Sequence, residues 1–124
     1  MNARASTPEE DSVRARLLAR KRDLLAEQEI GRSELAGVLA ARADGSADDE
    51  HDPEGSTLSS DWSRLTGLSG DRAAQLADVD DALARLLAGE YGACLECGRP
   101  IDSARLEARP TAALCIECAR MREQ

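Results

Sequence analysis

Four cysteines confine what this chain can become. They form two CxxC knuckles, Cys94-Leu95-Glu96-Cys97 and Cys115-Ile116-Glu117-Cys118, with seventeen residues between Cys97 and Cys115. A CxxC bend presents two sulfurs on one side of a tight turn, so two such bends offer four thiolates at the corners of a tetrahedron. Zinc prefers that arrangement, at about 2.3 Å per sulfur, and the spacing suits two knuckles that share one ion. Gly92 and Gly98 flank the first knuckle, where the bend calls for unusual backbone dihedrals. Four protein thiolates leave no coordination position for water, so the expected role is structural: one zinc ion held by Cys94, Cys97, Cys115 and Cys118. Disulfides, a redox dithiol and an iron–sulfur cluster are the competing uses. Disulfides need an oxidising compartment, and Met1-Asn2-Ala3-Arg4 leads into polar residues, not into an apolar export signal. A cytoplasmic protein with no membrane association is the expectation, since no apolar run approaches membrane-spanning length.

The remainder of the chain has little with which to build a globular core. Among 124 residues there is no Phe, one Trp (Trp62) and one Tyr (Tyr91). A chain rich in Ala, Leu, Arg, Asp and Glu builds long helices instead. Thr7-Pro8-Glu9-Glu10 reads as a helix start, with Thr at the N-cap, Pro at the first helical position and Glu at the third. The first helix is expected over residues 8–42, with Val13, Leu17, Leu18, Leu24, Leu25, Leu35, Val38 and Leu39 forming one apolar stripe. Gly31 and Gly37 weaken it by about 1 kcal/mol each relative to Ala. A second helix is expected from about residue 57 to residue 89. Its positions Leu58, Trp62, Leu65, Ser69, Arg72, Leu76, Val79, Leu83 and Leu86 alternate steps of four and three, a heptad seam in which Trp62 is a core residue. Gly67 and Gly70 predict a bent or irregular middle.

Each stripe needs a partner. The simplest is the other helix, so the fold class is mainly α: an antiparallel coiled-coil hairpin over residues 1–89, a C-terminal four-cysteine zinc finger over residues 90–124 and a short C-terminal helix after Cys118. Ile101, Leu106 and Leu114 are the finger's available core. A monomer is expected, with a homodimer as the alternative, because heptads do not name their partner. Residues 43–57, with two Gly, one Pro and an acidic run, form the tip loop. Asp48, Asp49, Glu50, Asp52 and Glu54 are its candidate functional residues.

The formal charge of −8 argues against non-specific DNA binding, which rests on Lys and Arg neutralising phosphates. An enzyme is not expected either. The one histidine, His51, sits in the acidic loop with no nucleophile to pair with, and neighbouring carboxylates there raise its pKa.

The residues around the knuckles resemble the DksA/TraR family of bacterial transcription regulators. The resemblance is carried by Tyr91-Gly92-x-Cys94-x-x-Cys97-Gly98, by Ile101, by Arg105-Leu106-Glu107-Ala108-Arg109-Pro110 and by Cys115-Ile116-x-Cys118. It implies direct binding to RNA polymerase, with the coiled coil inserted into the secondary channel and the acidic tip near the catalytic centre, modulating initiation without specific DNA contact. At the tip, Asp49 and Asp52 match a pair of family aspartates, with Glu54 where the family has Ala. Alternatively Asp52-Pro53 matches a family Asp-Pro, with Gly55 where the second Asp belongs. Family members that respond to ppGpp use basic residues on the second helix. Here residues 71–81 offer Arg72 among Asp71, Asp78, Asp80 and Asp81, so ppGpp dependence is not expected. Two other functions fit the zinc knuckles: a zinc-ribbon adaptor for another protein, and a redox-sensitive zinc protein that does not act on polymerase.

Overall fold

The computed structural model describes residues 6–45 and 53–123. Four helices follow in order: α1 (Pro8–Gly45), α2 (Pro53–Ala88), α3 (Ser103–Ala108) and α4 (Ile116–Arg122). Among the described residues there is no named strand, only an isolated antiparallel bridge between Ala93 and Pro100. None of the described helices is long and apolar enough to cross a membrane.

α1 begins where its sequence places it. Thr7 and Glu10 form a reciprocal capping box: the Glu10 N–H donates to Thr7 Oγ1 and the Thr7 N–H to a Glu10 carboxylate oxygen, both at 3.1 Å. Glu9, Glu10 and Asp11 then set negative charge against the positive end of the helix dipole. α2 ends in a Schellman motif. Gly89 adopts φ 77°, its N–H donates to the Leu86 carbonyl at 3.2 Å, and the Glu90 N–H donates to Arg85 at 2.8 Å.

The connection between Gly45 and Pro53 is too short to run back along a helix of 36 residues, about 54 Å long. The two long helices are therefore antiparallel. The chain forms two compact units, one of residues 1–21 with 77–124 and one of residues 22–76. In the first, Lys21 pairs with Asp80 at 2.8 Å, and Leu17, Val79, Ala82 and Leu86 are buried. In the second, Leu24 and Leu65 are buried and Arg72 Nε donates to Gln28 Oε1 at 3.1 Å.

Four expectations need correction. The helices reach further into the acidic segment than residues 43–57 allowed: α1 continues to Gly45 and α2 begins at Pro53. Proline breaks a helix interior but suits its first position, where no N–H is required. α2 also runs unbroken through Gly67 and Gly70, because a glycine lowers helix propensity without preventing helix when the flanking seam is packed. The α1 stripe is narrower than its apolar residues suggest. Leu17 and Leu24 are fully buried, whereas Leu18 and Leu25, one step along, are about half exposed, as is Leu39. A two-helix pair covers only the a and d rows. Finally, the last helix starts at Ile116 and contains Cys118; it does not follow it. The nine seam positions on α2 are all buried or half-buried, Trp62 among them.

Candidate metal centre

The first knuckle sits in a small turn built by its own backbone. The Cys94 N–H donates to the Arg99 carbonyl at 2.8 Å, the Gly98 N–H to Cys94 at 2.9 Å and the Ile101 N–H to Gly92 at 2.7 Å. Closing it requires left-handed residues on both sides. Gly92 takes φ 90° and Gly98 φ 77°, a region open to glycine and strained for a side chain. The second knuckle uses a helix start. Cys115 is the N-cap of α4 and Cys118 lies in its first turn. The Leu95 N–H reaches across to the Ala113 carbonyl at 2.9 Å and joins the two knuckles. An ion pair between Arg122 and Glu96 adds a side-chain link between them.

These turns bring the four sulfurs within 4.8 Å of one another. Cys97 Sγ and Cys115 Sγ lie 3.8 Å apart, which matches the edge of a tetrahedron with arms of about 2.3 Å, the zinc–sulfur distance. Cys94, Cys115 and Cys118 are buried and Cys97 is exposed. Ile101 is buried with the cysteines, and Leu106 and Leu114 pack against them. Main-chain N–H groups of Cys97 and Cys115 stabilise the Cys94 thiolate and lower its pKa to about 6. The main chain and side chain of Arg99 lower Cys97 as well. Cys118 is pushed up by the Cys115 thiol and by burial. At Cys115 the Cys118 N–H favours the thiolate, but burial and the Cys97 and Cys94 sulfurs outweigh it. Four thiolates this close repel one another. A divalent cation at their centre removes that conflict, and the donor set fits zinc.

The segment between the knuckles is held from outside by Tyr91, part of the motif around the first knuckle, and by Arg85 and Arg16, which the sequence did not single out. Tyr91 Oη donates to the Pro110 carbonyl at 2.6 Å, Arg85 Nη2 to Thr111 at 3.4 Å and Arg16 Nη1 to Glu107 at 3.5 Å. Arg105 Nε donates to the Leu114 carbonyl at 2.9 Å from within the segment. Burial raises the Tyr91 phenol pKa, with Arg16 and Arg85 acting in opposition. The Arg-Leu-Glu-Ala-Arg-Pro phrase thus has local reasons: an arginine for a carbonyl, a leucine for the small core, and carbonyls at Glu107 and Pro110 for donors on α1 and at Tyr91. Only the phrase's specificity was legible beforehand, since carbonyl acceptors leave no mark in side-chain pattern.

Of the candidate tip residues, Asp48, Asp49, Glu50 and Asp52 lie outside the described residues, as does His51. Glu54 falls in the first turn of α2.

Residues 89–124 match the family model described as the prokaryotic dksA/traR C4-type zinc finger. Over nearly its whole length the chain is similar to the solved structure of transcription factor DksA2 from Pseudomonas aeruginosa. The TM-score is 0.76 at 31% identity, covering 92% of this chain and 82% of that one. The chain belongs to the DksA/TraR family. Among curated members it is 47% identical over 49 residues to the RNA polymerase-binding transcription factor DksA of Caulobacter vibrioides (strain NA1000 / CB15N), covering 40% of this chain and 34% of the relative. It is 42% identical over 45 residues to the protein of the same name in Escherichia coli (strain K12), covering 36% of this chain and 30% of that one. These matches span about a third of the relatives' own length.

Proposed function

We propose that this protein binds RNA polymerase and modulates transcription initiation, with its coiled coil in the secondary channel. The observation that carries the reading is fold similarity over 92% of the chain to a transcription factor of the family, together with relatives whose names state polymerase binding. In this reading Cys94, Cys97, Cys115 and Cys118 hold one zinc ion, which orders the finger and takes no part in chemistry. Asp48, Asp49, Glu50, Asp52 and Glu54 are the tip residues, acting through charge on basic groups or bound magnesium within the channel. ppGpp independence is part of the proposal. Arg72 donates to Gln28 within the helix pair, while Asp71, Asp78, Asp80 and Asp81 are exposed and repel phosphate.

The test uses full-length protein with Asp49 and Asp52 changed to Asn and Glu50 and Glu54 to Gln. Melting temperature and zinc content are expected to stay unchanged, core polymerase binding to persist at reduced affinity, and regulation of a sensitive promoter in vitro to be lost. Binding to core polymerase that a known channel-occupying factor fails to displace would refute channel insertion. Unaltered regulation by the neutralised tip would refute the role of its charge.

One observation favours a second reading, a redox-sensitive zinc protein: Cys97 is exposed and neighbours the Arg99 guanidinium. Its thiolate would reduce a peroxide to water and become a sulfenate, a product that no longer serves as a zinc thiolate ligand. Zinc release at low peroxide concentration supports this reading, and retention under the same conditions excludes it.

A further inference from the structure

The geometry assigns Arg72, Gly31 and Gln28 a role as the register lock of the coiled coil. Gly31 is buried in α1. A Cβ built on it would overlap Arg72 Nη2 and fall 3.2 Å from Arg72 Cζ. The guanidinium therefore occupies the space that a side chain at position 31 would fill. Its Nε–H is satisfied by Gln28 Oε1 at 3.1 Å, one turn away on the same helix. Arg72 itself is half-buried at a seam position of α2. An arginine in this place packs against α1 where that helix offers both a gap and an acceptor.

The heptad pattern alone supplies no such selection. On α1 the row that contains Gly31 reads Leu17, Leu24, Gly31, Val38 at seven-residue steps, and the row that contains Gln28 reads Lys21, Gln28, Leu35. A slip of one heptad keeps leucine and valine layers facing one another, so hydrophobic matching resists it weakly. The turn would stay in the acidic segment in either direction, centred near Asp48 or near Gly55. For Arg72 the two slips are very different from the native register. In one direction it meets Leu24 instead of Gly31 and the Lys21 cation instead of Gln28. In the other it meets Val38 and Leu35, with no acceptor. Both remove the gap and the acceptor that hold the guanidinium in the native register, and leave it to turn toward water at the loss of that packing. The same argument disfavours pairing with α1 of another copy in any register but this one. A polar seam position that sets register at the expense of stability is an established device of coiled coils. In this chain it consists of an arginine facing a glycine.

The test has two parts. The first is a melting cycle in the full-length, zinc-loaded protein. Because the guanidinium must shift to admit a Cβ, Gly31→Ala is expected to change the melting temperature less favourably when Arg72 is present than when it is absent, by at least about 2 °C. In an Arg72→Ala background it is expected to raise it, because alanine is the better helix former. An equal rise in both backgrounds would overturn the packing argument. The second part measures register. Spin labels on non-cysteine handles at Ser33 and Ala74, both exposed, are read by pulsed dipolar spectroscopy alongside sedimentation. The wild-type chain is expected to give one distance in a monomer. The doubly apolar variant Gly31→Leu/Arg72→Leu is expected to melt higher. It should also show a second population displaced by one heptad, about 10.5 Å along the axis, or a dimer or larger assembly. One unchanged distance in a monomeric doubly apolar variant would overturn the lock, as would two distances in the wild type.

Discussion

The finger and the helix pair are ordered by opposite means. The finger has few apolar residues, and its shape comes from point constraints: four sulfurs within 4.8 Å, two glycines at positive φ beside the first knuckle, and main-chain carbonyls taken by Tyr91, Arg85, Arg16 and Arg105. The helix pair relies on a repeated pattern, in which many residues fit and few are irreplaceable. The difference explains how the similarities divide. The family model rests on residues 89–124, whereas the fold is retained over 92% of the chain at 31% identity. A point constraint restricts residue identity, while a seam restricts only hydropathy and period.

The sharpest test of that contrast is loss of a sulfur. Cys118→Ser is expected to abolish stoichiometric zinc and unfold residues 90–120, because metal binding energy is folding energy in a module this small. Elemental analysis and amide chemical shifts report both, and α1 and α2 should keep most of their helicity by circular dichroism. A zinc-free finger with native shifts would break the comparison.

A smaller effect is expected in the helix pair, and only at buried positions. Leu24 is 0% exposed and Leu25 51%. Leu24→Ala should lower stability by about 3 kcal/mol through lost burial and a residual cavity, and Leu25→Ala by less than about 0.5 kcal/mol. Chemical denaturation measures both, and equal values would mean that the seam is misplaced by one residue.

The smallest effect sharpens the account of the finger. Tyr91→Phe removes the donor to Pro110 and leaves its carbonyl half-buried, at a cost of about 1–2 kcal/mol. Zinc content should be unchanged, and shifts should move at residues 107–111 in preference to the knuckles. Loss of zinc would show that the outer donors and the metal act as one constraint.

Much of this molecule was legible in its residues. Two knuckles with seventeen residues between them named four cysteines that come together, and Thr7-Pro8-Glu9-Glu10 named a helix start that forms with its capping box. Nine positions at steps of four and three named the inner face of α2. Pattern reading failed where a residue type serves opposite ends. Pro53 served as a helix start although proline also ends helices, and Leu18 and Leu25 entered the α1 stripe although only a partner's width decides which leucines are covered.

Composition and spacing determined by themselves that the chain would be two long helices and a four-cysteine module, because hydrophobic period and thiolate spacing are local properties of the chain. Which α1 residue faces which α2 residue was left to tertiary structure. A heptad repeat is degenerate under seven-residue shifts, and only non-periodic contacts such as Lys21 with Asp80, Arg16 with Glu107 and Arg72 over Gly31 distinguish one register from another. The outer hold on the finger was decided in the same way. Its acceptors are main-chain carbonyls, which every residue carries and no sequence distinguishes, so the donor roles of Tyr91, Arg85 and Arg16 emerged only once the fold had brought residues 107–111 to them.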